Sequence, residues 1–312
     1  MFTFAFFFWG PTNPAQQLCD KQGHCTPAKV QAIEHEMGLD VPVTTAYAKF
    51  VGSIFHDRKI YYQWEVDCPA PCLGISWSNR QPITGELLKK LPPTIFIALG
   101  GGLSFLLLGV GSGLLAAKFR GGWLDRFLMS ANLVLWALPE YVVYLLLWIF
   151  LTLELHFFPS GAQSLTAHSS PFSWLYALIL PWFAIGIVYS GGYARYARSQ
   201  MVETLSEDYI RSAKAKGVSN NGLMFKHALR AAIVPIVTLF GLDLAGLLAG
   251  TIYLENIFGF QGIGAWALKA IQAPFDFPVV TATVLFASVL ITVANLIVDI
   301  LYSVLDPRVR IA

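Results

Sequence analysis

Five long apolar runs constrain this chain more than any other feature: Pro93–Ala117, Phe127–Leu153, Trp174–Tyr193, Ile233–Leu254 and Val279–Val304. Crossing the hydrocarbon core of a bilayer takes about 20 predominantly apolar residues in a helix. No water is present there to satisfy an unpaired backbone group, so each run is expected to be helical. With 55% hydrophobic and only 13% charged residues, the chain reads as an all-α polytopic membrane protein. The opening MFTFAFFFW is apolar but has nine residues, too few to cross. It also lacks the basic region and small-residue cleavage site of a signal peptide. Residues 1–10 are therefore expected to be the remnant of a first span, giving six in the intact form with the first truncated.

Lysine and arginine are retained on the cytoplasmic side of a membrane, so their placement orients the chain. Lys118, Arg120 and Arg126 follow the first long run, and Arg195, Arg198, Arg211, Lys214, Lys216, Lys226 and Arg230 lie between the third and fourth. Arg308 and Arg310 follow the last. The intervening Glu154–Phe172 has neither residue type, and only Lys269 precedes the last run. This alternation predicts an extracytoplasmic segment over residues 11–90 and a five-span core over 91–312, with a polar cytoplasmic hairpin at about 206–230. The net charge of +2, with no basic run interleaved with aromatics, excludes a nucleic-acid partner and leaves membrane lipid as the surroundings.

Cys19, Cys25, Cys68 and Cys72 all lie in the expected outer segment. An even number in an oxidising compartment points to disulfides. The local pairs Cys19–Cys25 and Cys68–Cys72 are preferred among the three possible pairings. A metal site using His24 beside Cys25 is the alternative, but one histidine at irregular spacing is a poor zinc signature, and no metal is expected.

The stretch EDYIRSAKAKG, Glu207 to Gly217, breaks the apolar pattern. Ser206 can cap a short helix here, with Glu207 and Asp208 at the positive end of its dipole. Lys214 and Lys216 suit the last turn, and Gly217 can take the left-handed conformation that ends it. Ser219 can cap a second helix leading into the next run. Helical spacing puts Tyr209, Ile210, Ala213 and Gly217 near one face, a docking face whose small residues allow close approach. A merely solvated charged loop would not need these caps.

EDYIRSAKAKGVSNNGLMFKHALRAAIVP resembles the coupling loop of ATP-binding-cassette (ABC) importer permeases, in the variant of the oligopeptide, dipeptide and nickel permease family. LENIFGFQGIG, FDFPVV, NLIVDILYSVLDPRVR, MGLDVPVTTAYAKFVGSIF and ITGELLKKLPPTIFIAL extend the resemblance over nearly the whole chain. The resemblance is to the first of two permease chains. It implies a type I ABC importer transmembrane domain in a bacterial inner membrane, importing oligopeptides or dipeptides. Nickel or another small solute is the alternative within the family. It further implies a second permease, two cytoplasmic ATPase subunits and an extracytoplasmic substrate-binding protein as partners. Glu207, Asp208, Tyr209, Ile210, Ala213, Lys214, Gly217 and Lys226 would engage an ATPase subunit. ATP and Mg would belong to the partner ATPases, with no cofactor on this chain.

Three departures from the family stand out: the short first span, an enlarged Arg58–Leu73 stretch, and Asp243 where an uncharged polar residue is commoner. Pro235 lies further from the glycine than in the general loop pattern, as in the peptide subfamily.

Ionisable groups inside spans are costly and therefore functional candidates. Asp243 is one, as a pathway residue for a peptide amino terminus or a cation, or as a packing partner. Glu140, beside Pro139 at an expected bend, is open to the same two readings. Asp299 suits a structural role near Arg308. GFQGIG does not follow a strand, so it reads as a re-entrant or external turn rather than a nucleotide site. Gly109/Gly113 and Gly246/Gly250 have the spacing of close helix packing. Absence of G-x-x-x-x-G-K-[ST], H-E-x-x-H and G-x-S-x-G leaves no catalytic motif, and a non-catalytic permease is expected. A self-sufficient secondary carrier is the reading from another class, disfavoured by the hairpin and by the lack of paired intramembrane charges.

Overall fold

The computed structural model describes residues 13–22, 25–62, 64–159, 170–249, 251–272 and 275–305. Residues 1–10, expected as the remnant of a first span, and His24, Gly250, Arg308 and Arg310 lie outside the described residues. Three short helices come first, α1 (Pro14–Gln22), α2 (Pro27–Met37) and α3 (Val43–Phe55), then an antiparallel pair, β1 (Arg58–Tyr62) and β2 (Trp64–Cys68). Helices α4 (Ile83–Lys118), α5 (Trp123–Ala137) and α6 (Glu140–Trp148) follow, and a π turn over Ile149–Glu154 continues α6. Next come α7 (Pro171–Leu205), α8 (Asp208–Ala215) and α9 (Asn220–Gly222). A second π turn, Leu223–Ala228, joins α9 to α10 (Leu229–Ala249). The chain closes with α11 (Ile252–Ile257), α12 (Ile263–Ile271) and α13 (Phe277–Leu305).

Among the described residues four helices are long and apolar enough to cross a membrane: Ile83–Lys118, Pro171–Leu205, Asn220–Leu248 and Phe277–Val298. The Phe127–Leu153 run, expected as a single span, is instead two helices, α5 and α6 with its π turn, bent by 99°. Leu138 precedes Pro139 and is held extended, at φ −80° and ψ 140°. The proline ring disfavours the helical region for the residue before it, and the missing N–H cannot continue the helix. Glu140 therefore starts a new helix at the expected bend.

The residues divide into two compact units, Met1–Pro93 with Gln261–Val289 and Thr94–Phe260 with Leu290–Ala312. In the first, Cys19 is bonded to Cys25 and Cys68 to Cys72, with Cα atoms 5.4 Å apart in each pair. The β1–β2 pair, in register Arg58↔Cys68, was not anticipated in a helical chain. It occupies the enlarged Arg58–Leu73 stretch. Leu73, Ile83, Leu87, Ile263 and Val279 form an apolar cluster in this unit. Buried Asp276 accepts bonds from Ser76 Oγ (2.6 Å), Ser78 N (3.0 Å) and Trp77 N (3.2 Å), fastening that loop to the start of α13. GFQGIG forms the turn between α11 and α12.

The second unit is built around α7. Gly109 and Gly113 of α4 press against Tyr193, Ala194 and Ala197 so closely that an added Cβ would collide with them. This is the small-residue helix packing expected at those positions. Gly246 differs from that expectation, since a Cβ there would meet nothing within 4 Å. Phe105 is fully buried beside Tyr189, Tyr193 and Phe240, at ring-centroid distances of 5.6, 4.8 and 5.5 Å. Glu255, also fully buried, accepts from Thr94 Oγ1 (2.7 Å) and Thr251 Oγ1 (2.9 Å).

Candidate functional site

The polar hairpin begins where α7 ends. Ser206 does not cap α8, as the sequence suggested; its Oγ donates to Glu203 O at 2.6 Å and so finishes α7. Glu207 takes the N-cap position with extended backbone and no side-chain cap bond. Asp208 remains in the first turn, 3.3 Å from Arg211, and Lys214 in the last. Gly217 has φ +84°, and its N–H donates to Lys214 O at 3.0 Å. That left-handed geometry suits glycine because it has no Cβ to clash. Ser219 Oγ accepts from Gly222 N at 3.3 Å, capping α9.

The docking face inferred from helical spacing is split by the fold. Ile210 is 3% exposed and packs with Met201 of α7 and with Leu223, Met224 and Ala228 of the second π turn. Ala213 lies against the same cluster. These residues attach the hairpin instead of presenting it. Tyr209 is exposed, and burial of part of its ring, followed by the nearby Glu207 carboxylate, holds its phenol above the ordinary tyrosine range. Phe225, not picked out from sequence, is also exposed, beside exposed Lys226. Around Gly217 there is open space. The outward face is thus Tyr209, Gly217, Phe225 and the hairpin charges, and the exposed aromatics on a polar element were its available sequence signal.

A second feature was missed. Asp125 and Arg198 form a two-pronged ion pair, Nε to Oδ1 at 2.6 Å and Nη2 to Oδ2 at 2.7 Å, and Gly121 N also donates to Asp125 Oδ2 at 2.9 Å. The Asp125 side chain is 5% exposed. This planar pairing fixes orientation as well as distance, and ties the start of α5 to α7 seven residues before α7 ends.

Asp243 and Glu140, the two carboxylates expected within spans, each border a cavity that Tyr189 also lines. Asp243 Oδ2 accepts from Tyr193 OH at 2.7 Å. Glu140 Oε2 accepts from Tyr144 OH at 3.4 Å, a long bond. Tyr189 lies within electrostatic reach of both. It also borders two cavities, one of about 570 Å³ that includes Asp243 and a smaller one of about 50 Å³ that includes Glu140 and the open Gly246. Phe105 of α4 packs against the rings of Tyr189 and Tyr193. Among the described residues no group of three or more His, Cys, Asp or Glu is placed to hold a metal ion.

Residues 109–311 match the family model described as binding-protein-dependent transport system inner membrane component, and residues 1–98 match the model for the N-terminal part of such membrane components. A putative peptide transport system permease protein of Brucella abortus (strain 2308) is 35% identical, over 91% of this chain and 86% of that protein. The glutathione transport system permease protein of Escherichia coli O6:H1 is 29% identical, over 98% of this chain and 92% of that one. Among solved structures, an inward-facing methionine ABC transporter shares the fold, with a TM-score of 0.59 at 15% identity, covering 72% of this chain and 99% of that one.

Proposed function

The chain belongs to the binding-protein-dependent transport system inner membrane component family, and from that premise we propose how it works: as one half of a peptide pathway driven from its polar hairpin. It is an ABC importer permease subunit and a multi-pass inner-membrane protein. The proposed cargo is a short peptide, the class named for its relatives. A second permease would supply the other half of the pathway, and a binding protein would deliver the peptide on the side of the four-cysteine segment. Two ATPase subunits would sit on the side of the hairpin, holding the ATP and Mg.

The attachment of the hairpin carries this reading. Ile210 is buried in a cluster with Met201 of α7, Ala213 is partly buried against the same cluster, and the second π turn runs into α10 without a break. A push on the outward face of Tyr209, Gly217 and Phe225 must therefore move α7 and α10 together. Those two helices carry Tyr189, Tyr193 and Asp243 at the larger cavity. Closure of the ATPases would in this way be felt where the peptide passes, with no need for chemistry on this chain.

The test is purification from native membranes in mild detergent, followed by reconstitution. The expected result is co-purification of a second permease and two ATPase chains, or one in twofold amount, with ATP-dependent uptake of peptide when binding protein is added. Recovery of this chain alone, under conditions that preserve a known importer complex, would contradict it.

A further inference from the structure

The larger cavity contains two opposite charges that do not meet. Asp243 lies on its wall with Oδ2 bonded to Tyr193, while no protein donor among the described residues reaches Oδ1. Arg195 lies on the same wall with its guanidinium over the Trp136 ring, 4.9 Å from the centroid. Among the described residues no acceptor is within hydrogen-bonding distance of that guanidinium, and the two charged groups form no salt bridge. An arginine has five N–H donors in a planar fork, and stacking on an indole leaves its edge free. A carboxylate with one phenolic donor still has room for an ammonium.

Asp243 is half-buried and Arg195 exposed, and a half-buried aspartate in a membrane helix is costly unless it is partnered. Two held-apart charges of opposite sign in one cavity are best satisfied together by a ligand that brings both complements. The volume of about 570 Å³ is within the range of small-molecule sites. The remaining wall, Tyr189, Tyr196 and Leu239, offers aromatic and aliphatic surface without further full charges, suited to varied side chains.

We propose that this cavity is a transient binding site for the zwitterionic backbone of a short peptide, Asp243 receiving its α-ammonium and Arg195 its α-carboxylate. The site rests on the importer reading and deepens it. Selection would then occur twice, once at the binding protein and again inside the permease, where only the free peptide ends are read. Trp136 and Tyr193 are positioning residues, since each acts by orienting one of the two charges.

The experiment uses the assembled complex in lipid nanodiscs, without binding protein, and three labelled probes. These are alanyl-phenylalanine with free ends, its N-acetyl form and its C-terminal amide. The wild-type complex is expected to bind the free dipeptide. Asp243→Asn should weaken binding of the free dipeptide and the amide by about tenfold, the scale of one lost charge-assisted bond, and leave the N-acetyl form unchanged. Arg195→Gln should weaken the free dipeptide and the N-acetyl form by a similar factor and leave the amide unchanged. Both substitutions keep size and polarity, and co-purification of the partner chains checks assembly.

Equal weakening of all three probes by either variant would overturn the site. So would a wild-type complex that binds none of them yet performs ATP-dependent uptake with binding protein. Absence of any ATP-dependent uptake would instead overturn the importer reading, and this site with it.

Discussion

The hairpin over residues 208–228 and the four-cysteine segment ahead of α4 are both polar excursions from an apolar chain, yet they are held in different ways. Buried aliphatic side chains fix the hairpin: Ile210, Leu223 and Met224 share a cluster with Met201 of α7. The four-cysteine segment has a small cluster of Ala15, Cys19 and Ile33, and it relies on two disulfides and one strand pair. Small polar elements with little core are commonly stapled in this manner. A packed attachment couples the hairpin to α7, whereas the disulfides and the strand pair hold local shape, and Ser76, Trp77 and Ser78 fasten the end of that segment to Asp276 ahead of α13. On the proposed function the hairpin would act as a lever and the four-cysteine segment as a cap.

The largest effect is expected from breaking the attachment of the lever. Ile210→Ala removes a side chain that is 3% exposed, at a cost of about 2–4 kcal/mol. Limited proteolysis should then cut within residues 206–219, and peptide uptake should fall while the spans stay inserted. Unchanged protease resistance would show that the cluster does not hold the hairpin.

Arg198→Ala comes next. It strands the buried Asp125 carboxylate, and loss of one partner of a buried pair costs about 3 kcal/mol; the partial exposure of Arg198 moderates this. The melting temperature in detergent should drop. Arg198→Lys should recover only part of it, because an ammonium cannot make both prongs. Full recovery by lysine would remove the geometric argument.

On the other side of the comparison, replacing Cys68 and Cys72 together by serine releases a short loop worth about 2 kcal/mol by chain entropy. The loss should be confined to the strand pair, seen as faster amide exchange over 58–68, with ATP hydrolysis and uptake still coupled. Uncoupling by this variant would erase the distinction between lever and cap.

The smallest effect is electrostatic. The hydrogen bond between His35 Nδ1 and Asp40, 2.7 Å, together with the aspartate charge, holds His35 above its ordinary pKa, and the same bond holds Asp40 below its own. The stabilising share of His35 is complete below its unfolded value and fades as pH rises through the raised one. The share of Asp40 is complete above its unfolded value and fades as pH falls through the lowered one. The pair therefore supports the end of α2 best at about pH 5 and less at about pH 8. Both groups are exposed, so the change should be slight. Amide exchange near Gly38 at the two pH values measures it, and Asp40→Asn should abolish the difference.

Features set by neighbours in the chain were legible in the sequence. The apolar runs, the bend at Pro139, the left-handed Gly217 and the Ser219 cap all depend on residues within a turn or two of one another. Features set by distant parts of the chain were not. Tyr193 meets Asp243 across 50 positions and Arg198 meets Asp125 across 73, and no local pattern announces either pair. Ile210 shows the boundary between the two cases. Helical spacing put it on an apolar face, but spacing cannot say whether that face turns inward to the protein or outward to a partner. The strand pair went unseen because RKIYY and WEVDC are five residues each, too short for a repeated pattern to mark them as strands.

The central claim, that the hairpin is a lever engaged by an ATPase subunit, is tested most directly by two matched glycine variants. Gly217 in the hairpin and Gly38 in the four-cysteine segment both have positive φ, +84° and +66°, and at both an added Cβ would meet open space. Gly217→Asp and Gly38→Asp thus impose similar backbone strain and the same new charge, one on the lever and one on the cap. Peptide imported per ATP hydrolysed should be measured for each in reconstituted vesicles. The account predicts that the ratio collapses for Gly217→Asp, by tenfold or more on the order expected for a charge forced into a close interface, and stays near wild type for Gly38→Asp. Equal ratios in the two variants would contradict it.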